Sequence, residues 1–143
     1  MSPEDRKRDR YYRKTYNIGL CDYNQMLKEQ NDSCGICSKH RLQFNRALHV
    51  DHDHRFDRVK LKLTKKPDRR WVALGVVGSW TALGEGDTKA EARKHARLNF
   101  KGLSIRGLLC WGCNAAIQKF RDSADKMEAA ARYIRKFNSR MGL

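Results

Sequence analysis

Hydrophobic and polar positions change period several times along the chain, and each change marks an element. Over residues 20–30, Tyr23, Met26, Leu27 and Gln30 recur at helical spacing, which predicts a short amphipathic helix with its stripe in a core. Asn31-Asp32-Ser33 breaks it. Leu48 to Asp51 begins a strand. In a regular strand Leu48, Val50, His52 and His54 share one face, while His49, Asp51 and Asp53 share the other. Trp71-Val72-Ala73-Leu74-Gly75-Val76-Val77 predicts a second strand, with Val72, Leu74 and Val76 on one face. Gly78-Ser79 turns it, and Trp80-Thr81-Ala82-Leu83 returns as a hairpin. Gly84-Glu85-Gly86-Asp87 reads as a second turn, and Thr88-Lys89-Ala90-Glu91 fits a capping box that opens a helix to about Asn99. Residues 104–109 predict another short strand. A helix starts at Asn114 and runs to about Phe120, and Arg121-Asp122-Ser123 interrupts it. A last helix, from about 124 to 137, places Met127, Ala130, Ala131 and Ile134 on one stripe, expected to pack on the core.

Charge adds a partner to this picture. Lys plus Arg is 31 against 16 for Asp plus Glu, a net +15 over 143 residues. That length suits one ordinary domain, or a small domain with an insertion. The excess points to a polyanion, although a basic ribosome-associated protein would show the same balance. Residues 1–16 mix Arg6, Lys7, Arg8, Arg10, Arg13 and Lys14 with Tyr11, Tyr12 and Tyr16. They read as a basic arm, either a frayed solvated helix or a nucleic-acid contact. Lys60, Lys62, Lys65, Lys66, Arg69 and Arg70 precede the hairpin, and Lys89, Arg93 and Arg97 recur every four residues on the helix after it. Together they predict a phosphate-binding surface, and a plain solvated face is the alternative. No apolar run approaches the roughly 18 residues of a membrane span. The start of the chain lacks the apolar centre of a secretory signal. An intracellular protein with reduced thiols is therefore expected.

In such a compartment the cysteines become informative. Cys34-Gly35-Ile36-Cys37 and Cys110-Trp111-Gly112-Cys113 have the spacing of a four-cysteine zinc site. A redox dithiol or merely buried thiols are the alternatives, and neither pair lies in a thioredoxin-like context. Cys21 is left over, and its place in the helix makes it a packed residue.

Between the two pairs lies Leu48-His49-Val50-Asp51-His52-Asp53-His54, with three of the chain's five His. Alternating His and Asp build a core poorly. They suit a hard divalent cation beside a base that takes a proton. A site using both Asp51 and His52 needs the strand to end or bend there, and the alternation alone does not show that bend. A zinc clamp between the pairs would fix the helix start against the first strand and bring the Asn114 carbonyl near Asp51. Both are hard oxygen ligands suited to Mg2+ or Mn2+, with His52 as general base. Loop capping by Asp51 and His52, or a second zinc on the His residues, are the competing readings.

These motifs resemble the HNH, or ββα-metal, endonucleases, and more closely the recombination endonuclease VII family. The resemblance rests on Tyr16-Asn17-Ile18, Asp22-Tyr23, Cys34-Gly35-Ile36-Cys37, Val50-Asp51-His52-Asp53-His54 and Arg106-Gly107-Leu108-Leu109-Cys110-Trp111-Gly112-Cys113-Asn114. It implies that Cys34, Cys37, Cys110 and Cys113 are structural zinc ligands. It also implies that Asp51 and Asn114 hold a catalytic metal, that His52 is the general base, and that His54 is a second active-site histidine touching phosphate or supporting the site. Arg106 joins the expected phosphate contacts. Some family members carry an acidic residue three positions after the Asn, where this chain has Ile117; Asp53 is the candidate replacement. Family members that resolve Holliday junctions dimerise through long C-terminal helices. This chain ends soon after Phe137, so nicking or cleavage of double-stranded or branched DNA is expected, with a homodimer as an option.

Residues 57–103 fall outside those motifs. From Trp80 to Ala92 they look like the second half of a double-stranded RNA-binding domain, and are similar to the three-strand-plus-helix DNA-binding modules of integrases and homing enzymes. The expected fold is α+β: a zinc-bound ββα-metal (HNH) nuclease core over residues 17–56 and 104–143, an inserted small β-hairpin/helix module over 57–103, flanking helices, and the basic arm over 1–16. The expected activity is a metal-dependent DNA endonuclease of phage or mobile-element type acting in a host cytoplasm, with RNA as a second candidate ligand. A non-catalytic zinc module that binds DNA or RNA is the alternative. A structural protein of a nucleoprotein particle would explain the charge but not the motifs.

Overall fold

The computed structural model describes residues 1–54, 59–77 and 79–142. The chain is α+β, with two small antiparallel sheets, each with its own apolar cluster. It begins with helix α1, Pro3–Tyr16, which has a capping box between Ser2 and Asp5 and a proline in its first turn. The stretch expected as an arm is docked: Tyr12 is buried and stacks on Tyr23, with centroids 4.7 Å apart and an 11° interplanar angle. Such a pair is worth about 0.5–1.5 kcal/mol beyond its area. Helix α2, Leu20–Glu29, buries Leu20, Tyr23 and Leu27. Asp9 links the two helices by accepting the Leu20 N–H at 2.8 Å and pairing with Arg13. Cys21, expected to pack, is exposed because it sits off that buried stripe.

Strand β1, His49–His52, pairs antiparallel with β5, Ile105–Leu109. Leu48, Val50, Leu108 and Leu109 complete the first cluster with Tyr12, Tyr23, Leu27, Cys34 and Cys110. The Gln30 side chain behaves as an extra strand residue. It donates to the Leu108 carbonyl and accepts the Leu108 N–H, both at 2.8 Å. Gly107 faces it at φ +151°, a conformation that disfavours any side chain, and a Cβ there would lie 2.7 Å from Gln30 Oε1. Gly107→Ala is expected to cost about 1–3 kcal/mol, read as a lower denaturant midpoint.

Between β1 and β5 the chain builds a second layer. Strands β2 (Lys62–Lys65), β3 (Trp71–Val77) and β4 (Ser79–Gly86) form a sheet in that order, backed by helix α3, Lys89–Leu103. The expected two-stranded hairpin is therefore three-stranded. Val59, Leu61 and Leu63 alternate through the lysines and pack on the second cluster, a period-two signal hidden by the charge. The turn position Gly78 and the boundary at 56/57 lie outside the described residues. The second turn expected over 84–87 is strand through Gly86. Its glycines serve packing: a Cβ on Gly84 would lie 2.3 Å from the Ala96 amide nitrogen, so α3 can sit this close only against glycine. The Thr88–Glu91 capping box is present, and Ala92, Ala96 and Phe100 form the helix face against the sheet. That face meets Ala73, while Val72 is buried on the other side beside its cross-strand neighbour Glu85.

The insertion is braced to the first cluster. Asn17 Nδ2 donates to Asn99 Oδ1 at 2.9 Å, and α3 runs through the buried Ser104 directly into β5. Helix α4, Trp111–Lys119, begins at the second cysteine pair rather than at Asn114, because Cys110 Sγ caps it by accepting the Cys113 N–H. Helix α5, Ala124–Met141, buries no residue. Of its expected inward stripe, Met127, Ala130 and Ala131 are half-buried and Ile134 is 56% exposed. The helix leaves the core after its first turns. No described helix is long and apolar enough to cross a membrane.

Candidate active site and zinc centre

The four cysteines from two distant segments converge. One sulfur from each of Cys34, Cys37, Cys110 and Cys113 lies within 4.8 Å of the others. Cys37 Sγ and Cys110 Sγ are 3.9 Å apart, close to the roughly 3.8 Å edge of a tetrahedron with metal–sulfur bonds of about 2.3 Å. Burial opposes the Cys34 thiolate, but the N–H groups of Cys110, Cys37 and Ile36 outweigh it and bring its pKa down to about 6. Burial, with the neighbouring cysteine sulfurs, pushes Cys113 up to about 12. Four touching sulfurs share one negative charge easily and further ones only with a cation between them. The cluster is compatible with zinc.

The second constellation forms where β1 leaves register. Asp51 pairs with Gly107 but His52 pairs with Ile105, so Arg106 is an extra residue in β5. A bulge breaks strict alternation and sharpens the local twist. The strand thus departs from a regular ladder between Asp51 and His52. Asp51 is 4% exposed. Arg106 grips it with Nε on Oδ2 at 2.7 Å and Nη2 on Oδ1 at 2.9 Å, a bidentate fork. The same Nη2 reaches Asp122 Oδ1 at 2.5 Å. The Asp51 hydrogen bonds, and then those of Asp122, outweigh burial and raise the Arg106 pKa, so it stays charged. Asp51, Arg106, Gly107, Ile117 and Met127 line a hollow of about 300 Å3.

His52 and His54 lie together, with ring centroids 4.3 Å apart, and Tyr16 sets its ring edge-on to His52 at 5.8 Å. Burial, then a hydrogen bond with Tyr11, pushes Tyr16 up to about 12, so its hydroxyl keeps its proton near neutrality. His54 Nδ1 lies 3.3 Å from Asp122 Oδ2. Asp53 is buried and its N–H bonds the Ser104 carbonyl at 3.0 Å; the carboxylate that joins Arg106 to His54 is Asp122. Asn114 sits half-buried at the start of α4, which packs on β1 and β5. Among the described residues no hydrogen bond joins Asn114 to Asp51.

The basic residues differ in their surroundings. Lys65 and Lys89 lie over the Trp71 ring at 5.9 and 4.5 Å, at the sheet edge near α3. Lys66 and Arg70 pair with Glu85, and Arg70 also with Asp87. Arg93 is exposed and Arg97 half-buried on α3, while Lys60, Lys62 and Arg69 are exposed on the sheet side. Arg106, expected among the phosphate contacts, has its guanidinium on Asp51 and Asp122. The roles of Arg106, Asp122 and Tyr16 in this network were not legible in the sequence. Arg106 and Asp122 are 16 residues apart, and only their charge types signalled a pair.

The family model for recombination endonuclease VII matches residues 9–136. No match is found among curated proteins or among solved structures.

Proposed function

The chain belongs to the recombination endonuclease VII family, a family of DNA endonucleases, and on that premise we propose that it hydrolyses phosphodiesters in double-stranded or branched DNA with an HNH-type site. The observation that carries this reading is the register shift at Asp51/His52, which lets a carboxylate and a base on adjacent residues serve one site. His52 takes the proton from the attacking water, held by the Tyr16 edge and the His54 ring. His54 supports His52, its ring lying 4.3 Å away centroid to centroid.

The donor set fits a hard divalent cation. Two carboxylates, Asp51 and Asp122, share one guanidinium, leaving an unmatched negative charge. Each Asp51 oxygen also keeps a lone pair beyond the Arg106 fork. Asp51 and Asn114 would hold Mg2+ or Mn2+, which would supply charge stabilisation at the departing 3′ oxygen. Cys34, Cys37, Cys110 and Cys113 would hold a structural zinc that keeps α4 against β1. The test is incubation of supercoiled and branched DNA with the protein and Mg2+ or Mn2+. Nicked or cut product is expected, and intact DNA with every divalent metal overturns the reading. The competing reading, a non-catalytic zinc module, draws on the Arg106 fork, which satisfies Asp51 without any metal.

The insertion over 57–103 serves as the DNA-binding unit beside this site, through the sheet face opposite α3. A soluble phage or mobile-element enzyme acting in a host cytoplasm suits this pairing. Lys60 and Lys62 are exposed two residues apart. Replacing both with Ala is expected to weaken binding at all sequences. It should also flatten the slope of log affinity against log salt by about 1 to 2, since each lost phosphate contact removes about 0.9. An unchanged slope in a salt titration would remove this face from the interface.

A further inference from the structure

One buried carboxylate, Asp122, contacts both Arg106 and His54. Asp122 lies between α4 and α5, where Arg121 and Asp122 both adopt left-handed backbone, at φ 55° and 57°. Two consecutive non-glycine residues in that region carry a conformational cost, and here they turn the Asp122 side chain inward to 3% exposure. Each of its oxygens has a different partner. Oδ1 accepts from Arg106, the residue that grips Asp51, and Oδ2 faces His54 Nδ1 at 3.3 Å.

His54 Nδ1 is itself buried and has no aligned hydrogen-bond partner, although the side chain as a whole is 37% exposed. The exposure of the side chain therefore lies at atoms other than Nδ1. A buried polar nitrogen without a partner costs about 1–3 kcal/mol. A small ring rotation toward Asp122 Oδ2 removes that cost, provided Nδ1 carries the proton. We propose that Asp122 is the positioning residue of the site: it holds the proton on His54 Nδ1, leaves Nε2 as the proton acceptor of the ring, and anchors Arg106 on Asp51. The assignment rests on the nuclease reading for its catalytic meaning, but the His54–Asp122 pair is testable without it.

Asp122→Asn is the informative variant. It keeps the shape but replaces one acceptor with an NH2 donor. Either Arg106 or the His54 N–H then loses its partner, because both are donors. The holo protein is labelled with 15N, and the His54 ring signals are identified from a His54→Gln spectrum. Wild type is expected to show the Nδ1–H form, and Asp122→Asn a shift toward Nε2–H at unchanged zinc content. The kcat of plasmid nicking should fall on the order of 10- to 100-fold, as for other residues that orient a ligand or a base, with KM little changed. Asp122→Glu, which keeps both acceptors, should recover part of each effect. An unchanged His54 spectrum and kcat in a folded Asp122→Asn protein overturns the proposal. A tautomer shift supports it even where wild type leaves DNA intact, a result that overturns only the nuclease reading.

Discussion

Replacing His52 with alanine is expected to abolish strand cleavage while leaving DNA binding in place. A positioned general base contributes about 10^2- to 10^4-fold to the rate, so nicking should fall to near background. The fold should survive the change. His52 is only half-buried, lies outside the first apolar cluster, and is no part of the four-cysteine site. Its ring lies beside Tyr16 and His54, whose backbones are held by α1 and by the residues after β1. The measurement is a time course of supercoiled-plasmid nicking with Mg2+ or Mn2+, run beside a binding titration on the same DNA. Equal cleavage by wild type and variant would remove His52 from the mechanism. Loss of cleavage together with binding would show that the substitution damaged the surface instead.

The second large effect lies at the cysteines. Cys34→Ser should release the metal and unfold the first cluster. Cys34 is 2% exposed and is at once a sulfur of the tetrahedral set and a packed member of the core. Its Sγ also accepts the Cys110 N–H at 3.3 Å, so one atom joins both knuckles. Zinc bound to small domains supplies an apparent 10–16 kcal/mol at about pH 7, as much as a whole domain's net stability of about 5–15 kcal/mol. Chelation of wild type should act in the same direction. Metal analysis and thermal melts with and without chelator read the effect. A melt unaffected by chelator would show that packing alone holds β1, β5 and α4 together.

The contrast between what was legible and what was not follows a physical line. The four cysteines were legible because metal-ligand spacing is a local property of each knuckle. The helix over Leu20–Glu29, the strand over Trp71–Val77 and the Thr88 capping box were legible because period and caps depend on neighbours within a turn or two. Strand β2 was hidden because lysines occupy its solvent positions, although Val59, Leu61 and Leu63 kept their alternation. Gly84 and Gly86 read as turn residues, but what demands glycine there is the approach of α3. The stripe on α5 read as core because a period shows which face is apolar, not whether anything covers it.

By itself, then, the sequence determined the family, the class of fold and the four sulfurs. Each of these lives in short motifs whose chemistry is complete within a few residues. The tertiary structure decided what surrounds Asp51 and His52. Arg106 as an extra residue in β5 breaks the alternation at Asp51/His52, and Asp122 reaches in from beyond α4 to meet Arg106 and His54. Those contacts join side chains 16 to 68 positions apart. No local rule couples such residues. Only the register of β1 on β5 and the path of the chain around the four-cysteine cluster bring them within hydrogen-bond reach.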